Sequence, residues 1–304
     1  MSAAAFSSTS GSLGLLFPPS LPVILYSVVA STREMSVPAD ALYLAGLLPG
    51  LLLVVIVAGY GIYIGKKTGA PTQSFSGKEL VASAWETKWE LGLPVFIVGL
   101  FATGLASMVE TAAAAIAYAV IVECFVTRDI PFWSKLPGVL LKACGLMGAV
   151  LILLSVAMGL TSYLVDAQIP EWLLGWVKVH IQSPVVFLLV LNVLLLILGS
   201  VLEIYSAIII LAPLIAPMGA AFGIDPIHLG VIFLSNLELG FLFPPMGLNL
   251  FLSSSRFGVP LPRLYKQVVP FLVILGVGVL LITYLPEMSL GILRLLGKYQ
   301  PIGQ

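Results

Sequence analysis

Apolar runs of about 20 residues recur along the chain, and short polar connections separate most of them. They fall at residues 12–30, 41–65, 91–107, 109–126, 143–165, 184–202, 204–222, 226–254 and 268–287. An apolar run of this length makes a helix that crosses the ~30 Å hydrocarbon core of a bilayer, whereas membrane β-barrels show alternating segments of about 10 residues. The pattern therefore predicts an all-α polytopic membrane protein, with residues 1–304 as a single integral membrane region.

Two of the connections mix charged and aromatic residues. Residues 77–90 read GKELVASAWETKWE, and residues 127–142 read TRDIPFWSKLPGVLLK. Helices that lie in the membrane interface have this mixture of residues. We therefore expect interfacial segments between the crossing helices.

The distribution of lysine and arginine predicts the orientation of the chain. Ten of these residues lie in the connections 65–90, 127–142 and 255–267, which should be cytoplasmic. A topology of seven full crossings puts these ten inside and the other four outside. Residues 184–202 and 204–222 then enter from outside and return outside, as the arms of a re-entrant hairpin. A simple pair of spanning helices has the same parity and stays open.

An internal repeat joins two of the apolar runs. Residues 14–27, GLLFPPSLPVILYS, match residues 240–253, GFLFPPMGLNLFLS, at six of fourteen positions, and both contain Pro-Pro. Proline lacks an amide hydrogen and breaks a helix. Broken backbone inside a membrane is tolerated only where it is buried in protein or lines a cavity. The alternative is that the prolines only kink two packing helices.

In the predicted topology the two copies of this repeat run in opposite directions through the membrane. Inverted repeats with broken helices are the architecture of secondary transporters, whose binding site lies near the midplane between the copies. Free carbonyls of a broken segment can coordinate a cation, and half-helix N-termini can face an anion. We therefore expect a transport site between the two copies.

Several polar residues near the breaks are candidates for this site. Glu203 lies at the predicted hairpin tip within an apolar region, where it can ligate sodium, carry a proton or cap a half-helix. Asn236 offers a carbonyl oxygen suited to a hard cation, and Asn249 follows the second break, where it can bond freed carbonyls or the substrate. Glu238 is expected to face water or a cytoplasmic vestibule.

Other polar residues are expected to have structural roles. Glu110 is in the first turn of an apolar segment, where an acidic group complements the helix dipole. Asp225 precedes Pro226 and is expected to cap or turn the chain. His228 is expected to be interfacial.

Composition excludes several other classes of function. The chain is 60% hydrophobic and 9% charged, its formal net charge is zero, and nothing in it indicates nucleic-acid binding. Its two cysteines and two histidines are separated and predict neither a disulfide framework nor a metal or haem site. The acidic residues are scattered rather than paired, so a membrane-embedded enzyme is less favoured.

The chain resembles the large membrane subunit, of DctM type, of tripartite ATP-independent periplasmic (TRAP) transporters. Residues 11–30, 45–57, 198–258 and 270–290 carry the resemblance, and the third stretch, which includes SNLELGFLFPPMGLNLFLSS, is highly specific. The similarity spans the chain but only about the C-terminal two-thirds of a typical family member. We therefore expect the chain to be N-terminally incomplete: a fragment, the product of a truncated gene or half of a split subunit.

The resemblance implies an elevator-type, inverted-repeat secondary transporter with a re-entrant hairpin and broken helices in the bacterial inner membrane. It implies sodium as the coupling ion and no other cofactor. It also implies a periplasmic binding protein that delivers a C4-dicarboxylate, sugar acid or similar carboxylate, and a small membrane subunit. A separately encoded N-terminal half is a further expected partner. The alternatives are a proton- or sodium-coupled transporter of another inverted-repeat family and an inactive truncated fragment.

The resemblance also divides the chain into functional regions. It identifies residues 1–30 as the remnant of the first repeat, 31–183 as scaffold and interfacial helices, 184–254 as the second hairpin with its broken helix, and 255–304 as the last scaffold helix. The expected ion- and substrate-binding residues are Ser10, Gly11, Pro18, Pro19, Ser20, Gly199, Ser200, Glu203, Ser206, Asn236, Pro244, Pro245, Gly247 and Asn249. Sodium is expected near Ser10, Gly11, Glu203 and Asn236, although the family often has Asp where this chain has Glu203.

Overall fold

The computed structural model describes residues 9–11, 13–18, 20–31, 35–69, 76–103, 106–244 and 247–297, and none of these residues forms a β-strand. A short 3-10 segment, Leu13–Leu16, precedes the first long helix, and a π-helical turn, Val122–Val126, extends the fifth. The α-helices in chain order are α1 (Leu21–Ala30), α2 (Ala39–Lys67), α3 (Gly77–Glu86), α4 (Lys88–Thr103), α5 (Met108–Ile121), α6 (Leu136–Asp166), α7 (Ile169–His180), α8 (Pro184–Val201), α9 (Ile204–Ala221), α10 (Pro226–Gly240), α11 (Leu248–Phe257), α12 (Leu261–Tyr284) and α13 (Glu287–Leu295).

Five helical segments are long and apolar enough to cross a membrane. They are α2, the segment Val109–Val126, α8, α9 and α12. A sixth candidate is the bent pair Thr9–Leu16 and Leu21–Ala30, whose two parts meet at 46°. The helical fold and these apolar helices are those of a polytopic membrane protein, as the apolar runs predict.

The chain divides into two compact units, residues 1–69 with 153–304 and residues 70–152. In the second unit, α4 packs against α5. The Tyr118 hydroxyl of α5 donates to the backbone oxygen of Trp89, 2.9 Å away. The expected interfacial segment 127–142 is not one helix: residues 127–135 are turns and irregular backbone, and α6 begins at Leu136.

Helix α10 is the centre of the first unit. All fifteen of its residues are buried, and it packs against α8, α2, α12, α13 and the 3-10 segment. A helix that is apolar on every side needs neighbours on every side, and the apolar positions of PIHLGVIFLSNLELG lie all round this helix. The second copy of the repeat therefore begins in the core of the unit.

Two glycines let α8 and α10 cross at close range. A Cβ atom added to Gly240 would lie 2.8 Å from the carbonyl carbon of Gly199 and 2.9 Å from its Cα. Small residues at a crossing allow the backbones of membrane helices to approach in this way. The predicted hairpin tip is thereby held against the end of α10.

Helices α8 and α9 form a hairpin. Only Leu202 and Glu203 separate them, and Phe187 near the start of α8 stacks on Phe222 just after α9, with ring centroids 4.4 Å apart. Because the far ends of the two helices also meet, the helices run antiparallel. The break falls where the sequence predicts the tip.

Acidic residues begin three of the helices as expected. The Asp225 carboxylate accepts hydrogen bonds from the backbone N–H groups of Ile227 and His228. Ser107 and Glu110 form a capping box at the start of α5. Glu203 caps α9, which is one of the three roles considered for it.

Candidate ion and substrate site

The first Pro-Pro break leaves backbone groups that a distant tyrosine satisfies. The Tyr43 hydroxyl accepts from the backbone N–H of Ser20 at 2.8 Å and donates to the backbone oxygen of Ser20 at 2.6 Å. Both residues are buried. The buried Ser20 hydroxyl has no hydrogen-bond partner, so of the polar atoms of Ser20 this hydroxyl is the one open to a ligand.

The other expected residues of the first break lie around this point. Ser10 and Gly11 are exposed in a helical turn, and Pro18 is half-buried. The segment packs closely on α2: a Cβ atom at Gly50 would lie 2.8 Å from the Phe17 ring. Pro19 lies outside the described residues.

The hairpin tip is organised by Glu203. Its carboxylate accepts from the backbone N–H of Tyr205 at 3.0 Å and of Ser206 at 3.2 Å, and Ser206 is half-buried. Glu203 itself is exposed, so it is not enclosed by apolar protein as its position in the sequence suggested. The buried Ser200 hydroxyl donates to the Ile197 backbone oxygen at 2.7 Å, and Gly199 lies in the crossing with α10.

The second break spans the residues between α10 and α11. Gly247 has φ 42° and ψ 82°, a left-handed conformation that glycine adopts without steric cost. A Cβ atom there would lie 3.1 Å from the Phe241 backbone oxygen. Pro244 and Asn249 are half-buried, and Pro245 lies outside the part of the chain that the structure describes.

An amide pair joins α8 to α10 next to this break. Asn236 donates its amide hydrogens to the Asn192 side-chain oxygen at 2.5 Å and to the Ile232 backbone oxygen at 2.8 Å. Asn192 donates to the Leu188 backbone oxygen at 2.7 Å and accepts from the Thr283 hydroxyl at 3.1 Å. Since both amide hydrogens of Asn236 are engaged, its carbonyl oxygen is the group left to bind a cation.

The same polar cluster continues to α13 through His228. The expectation that His228 is interfacial is wrong, because its side chain is 2% exposed. Its Nδ1 lies 3.1 Å from the Ser289 hydroxyl, and its Nε2 lies 3.2 Å from the Thr283 backbone oxygen. A buried polar group needs such partners, and here they tie α10 to α12 and α13.

A cavity of about 310 Å³ opens beside the amide pair. Apart from Asn192 and Asn236, its lining is apolar and comes from α8, α10 and α12. Its volume is at the lower end of the range of small-ligand pockets.

A second, much smaller cavity adjoins Glu238. Its volume is about 10 Å³, close to the minimum that holds one water molecule. Glu238 is 3% exposed, so it is enclosed by protein rather than open to water or a vestibule. Both of its carboxylate oxygens and the Ser235 hydroxyl are buried without a hydrogen-bond partner.

The structure brings some of the expected site residues together and holds others apart. Gly199 of the tip touches the end of α10, and Leu13 of the first break lines the small cavity beside Glu238. Glu203 bonds to the backbone of its own helix, whereas Asn236 bonds to α8. These two expected sodium ligands therefore have separate hydrogen-bond partners.

Sequence reasoning did not identify Asn192 or Tyr43. Asn192 had a signal, since it is the one amide residue of the apolar helix α8. Tyr43 had none, because its contact with Ser20 joins residues 23 apart in the sequence.

Comparison with known proteins shows the family. The family model of the tripartite ATP-independent periplasmic transporter, DctM component, matches residues 1–288. The C4-dicarboxylate TRAP transporter large permease protein DctM of Pseudomonas aeruginosa is 39% identical over 290 residues, which cover 95% of this chain and 66% of that protein. The chain thus spans about two-thirds of that relative.

Relatives named for other substrates are also similar. The isethionate TRAP transporter permease protein DctMQ of Oleidesulfovibrio alaskensis is 32% identical over 94% of this chain and 45% of that protein. The sialic acid TRAP transporter large permease protein SiaM of Vibrio cholerae is 32% identical over 91% of this chain and 64% of that protein. The chain belongs to the DctM family of TRAP transporter large permease subunits.

Proposed function

We propose that the chain acts as the large permease subunit of a sodium-coupled TRAP transporter that imports an organic acid across the bacterial inner membrane. A periplasmic binding protein delivers the acid, and a small membrane subunit packs on the scaffold helices. The names of the relatives support an acidic substrate, since they include C4-dicarboxylate, isethionate and sialic acid. A C4-dicarboxylate is the first substrate to test, because the P. aeruginosa relative is named for it.

The observation that carries this proposal is the contact between the two interrupted segments. The 3-10 segment and α1, on either side of the first Pro-Pro, both pack against α10, which leads into the second Pro-Pro. Irregular backbone at membrane depth is tolerated where it is buried or lines a cavity. Two such breaks in contact support an inverted-repeat site in which α8 and α9 form a re-entrant hairpin and the site moves by an elevator motion.

The ion and substrate ligands follow from this arrangement. We place sodium near Ser10, Gly11, Glu203 and Asn236, where carboxylate, amide and backbone oxygens are available. The substrate is placed along the two breaks and the hairpin tip. Its expected contacts are Pro18, Pro19, Ser20, Gly199, Ser200, Ser206, Pro244, Pro245, Gly247 and Asn249.

Glu203 allows the cation role to be separated from the capping role. In Glu203→Gln the side-chain oxygen still accepts from the backbone N–H groups of Tyr205 and Ser206, but the negative charge is gone. We expect an unchanged thermal unfolding midpoint (Tm) and weaker sodium activation of uptake. An unchanged sodium dependence would leave Glu203 with the capping role alone.

The function is tested by uptake in cells. We would express the chain with its small subunit, its binding protein and the part of the P. aeruginosa relative that the chain does not match, in a bacterium lacking dicarboxylate uptake. Labelled succinate should enter in sodium medium and not in choline medium. Uptake that is equal in both media would contradict sodium coupling. We also expect no uptake by the chain alone, and uptake in that arm would refute the need for a further piece.

A further inference from the structure

The strongest unexplained feature of the core is a buried carboxylate that nothing in the protein neutralises. Glu238 is 3% exposed and both of its oxygens lack a hydrogen-bond partner. An isolated ionised carboxylate in apolar surroundings is very unfavourable, and buried charges are normally paired or bound to metal ions. Inside a membrane protein such a residue is a functional site by default.

A second, independent observation is the unpaired hydroxyl on the same face of α10. Ser235 is 0% exposed, and its hydroxyl also has no partner. It precedes Glu238 by three residues, and side chains three apart in a helix are neighbours. Hydroxyls in protein interiors are normally hydrogen-bonded, so two unsatisfied neighbours indicate a ligand that both of them contact.

The space between these groups fits a very small occupant. Both residues line the cavity of about 10 Å³, whose other walls are the apolar side chains of Leu13, Leu53, Leu239, Leu275 and Val279. This volume is close to the minimum that holds one water molecule. It excludes an organic substrate and admits a single ion.

The charge of the site selects a monovalent cation. One carboxylate and one monovalent cation sum to zero, whereas a divalent ion would leave a net positive charge among five apolar side chains. The two carboxylate oxygens and the hydroxyl are hard ligands of the kind that alkali and alkaline-earth cations bind. Leu13 brings the first broken segment to the same cavity, so occupancy of the site can respond to movement of that segment.

We propose that Ser235 and Glu238 form a sodium site, with the Glu238 carboxylate neutralising the ion and the Ser235 hydroxyl as a further ligand. The site is separate from the expected sodium positions at the hairpin tip and at Asn236. Its place in a transport cycle rests on the proposed function, whereas binding of the ion itself does not.

The test counts sodium ions bound to the whole purified chain in lipid nanodiscs, by equilibrium binding of radioactive sodium. We expect Glu238→Gln to lower the number of ions bound by one per chain. We expect Ser235→Ala to keep the number but weaken this binding by up to about tenfold, the loss of one neutral ligand. Glu86→Gln, which removes an exposed carboxylate from α3, is the matched control and should bind as the wild type does.

Thermal unfolding separates loss of the site from loss of the fold. In the wild type, sodium at about 100 times its Kd should raise the Tm by about 5–10 °C relative to choline, and Glu238→Gln should lose most of this shift. In choline, Glu238→Gln should be at least as stable as the wild type, because an unpaired buried charge is removed. A Glu238→Gln chain that binds the full number of sodium ions, or that is less stable than the wild type in choline, would overturn the proposal.

The uptake experiment keeps this inference distinct from the proposed function. If uptake depends on sodium but Glu238→Gln binds as many ions as the wild type, the Ser235–Glu238 site is refuted and the transporter function stands. If Glu238→Gln loses one ion but succinate uptake is independent of sodium, the site stands and the coupling is refuted.

Discussion

The crossing of α8 and α10 should not tolerate a single added methyl group at Gly240. In Gly240→Ala the new Cβ would lie 2.8 Å from the carbonyl carbon of Gly199, 2.9 Å from its Cα and 3.1 Å from its oxygen. All three atoms belong to the backbone of the facing helix, so no side-chain rotation relieves the overlap. The two helices must separate, and the contact between the hairpin tip and the second break loosens.

The size of the effect follows from two opposing terms. Overpacking a close contact typically costs 1–3 kcal/mol, and the rigid backbone on both sides places this case near about 3 kcal/mol. Replacing glycine by alanine in a helix returns up to about 1 kcal/mol. We therefore expect the free energy of unfolding to fall by about 2 kcal/mol, which corresponds to a Tm lowered by about 4–8 °C.

The assay is thermal unfolding followed by tryptophan fluorescence at one fixed scan rate, because irreversible unfolding makes the midpoint depend on that rate. Gly59→Ala in α2 is the matched control, since nothing lies within 4 Å of its added Cβ. Gly199→Ala should fall between the two, because its nearest contact is the side chain of Leu237 at 3.1 Å. If Gly240→Ala is as stable as Gly59→Ala, the close crossing is refuted.

Three further substitutions test other polar contacts of the core. Tyr43→Phe should lower the free energy of unfolding by about 1–3 kcal/mol, because it leaves the backbone N–H and oxygen of Ser20 buried without partners. Asn192→Leu should cost a similar amount, because a donor of Asn236 loses its acceptor. Asp225→Ala should cost about 0.5–2 kcal/mol through loss of the α10 cap, whereas Asp225→Asn keeps an accepting oxygen and should cost less. Each loss is measured as a shift in Tm.

Exposed positions supply the controls for these substitutions. Tyr63→Phe removes a hydroxyl from a side chain that is 57% exposed, and Val193→Leu changes a side chain that is 52% exposed. Both should leave the Tm unchanged. Equal stability of Tyr43→Phe and Tyr63→Phe would show that the Tyr43 hydroxyl does not stabilise the first break, and equal stability of Asn192→Leu and Val193→Leu would exclude the amide pair as a stabilising contact.

Local sequence features predicted the helices and their interruptions well. The Pro-Pro pairs mark breaks because proline acts on its own helix, and α8 and α9 separate at Leu202 and Glu203 as expected. Asp225 and Glu110 cap their helices because a cap involves residues two or three apart. Such features depend on near neighbours, so the sequence shows them directly.

Partners of buried polar groups could not be predicted in this way. His228 follows a polar turn and reads as interfacial, yet its partners Ser289 and Thr283 lie 61 and 55 residues away. Glu238 stands in the same run as Asn236, and its enclosure depends on α2, α12 and the 3-10 segment together. Tertiary packing decides these environments, and residue type and periodicity alone carry no information about it.

Sodium-driven uptake in proteoliposomes tests the central claim most directly. The chain would be reconstituted with its small subunit, its succinate-loaded binding protein and the part of the P. aeruginosa relative that the chain does not match. The initial rate of labelled succinate uptake would be compared under inward, absent and outward sodium gradients. A sodium-coupled permease predicts accumulation above equilibrium under the inward gradient alone. Equal rates under all three gradients would contradict the account.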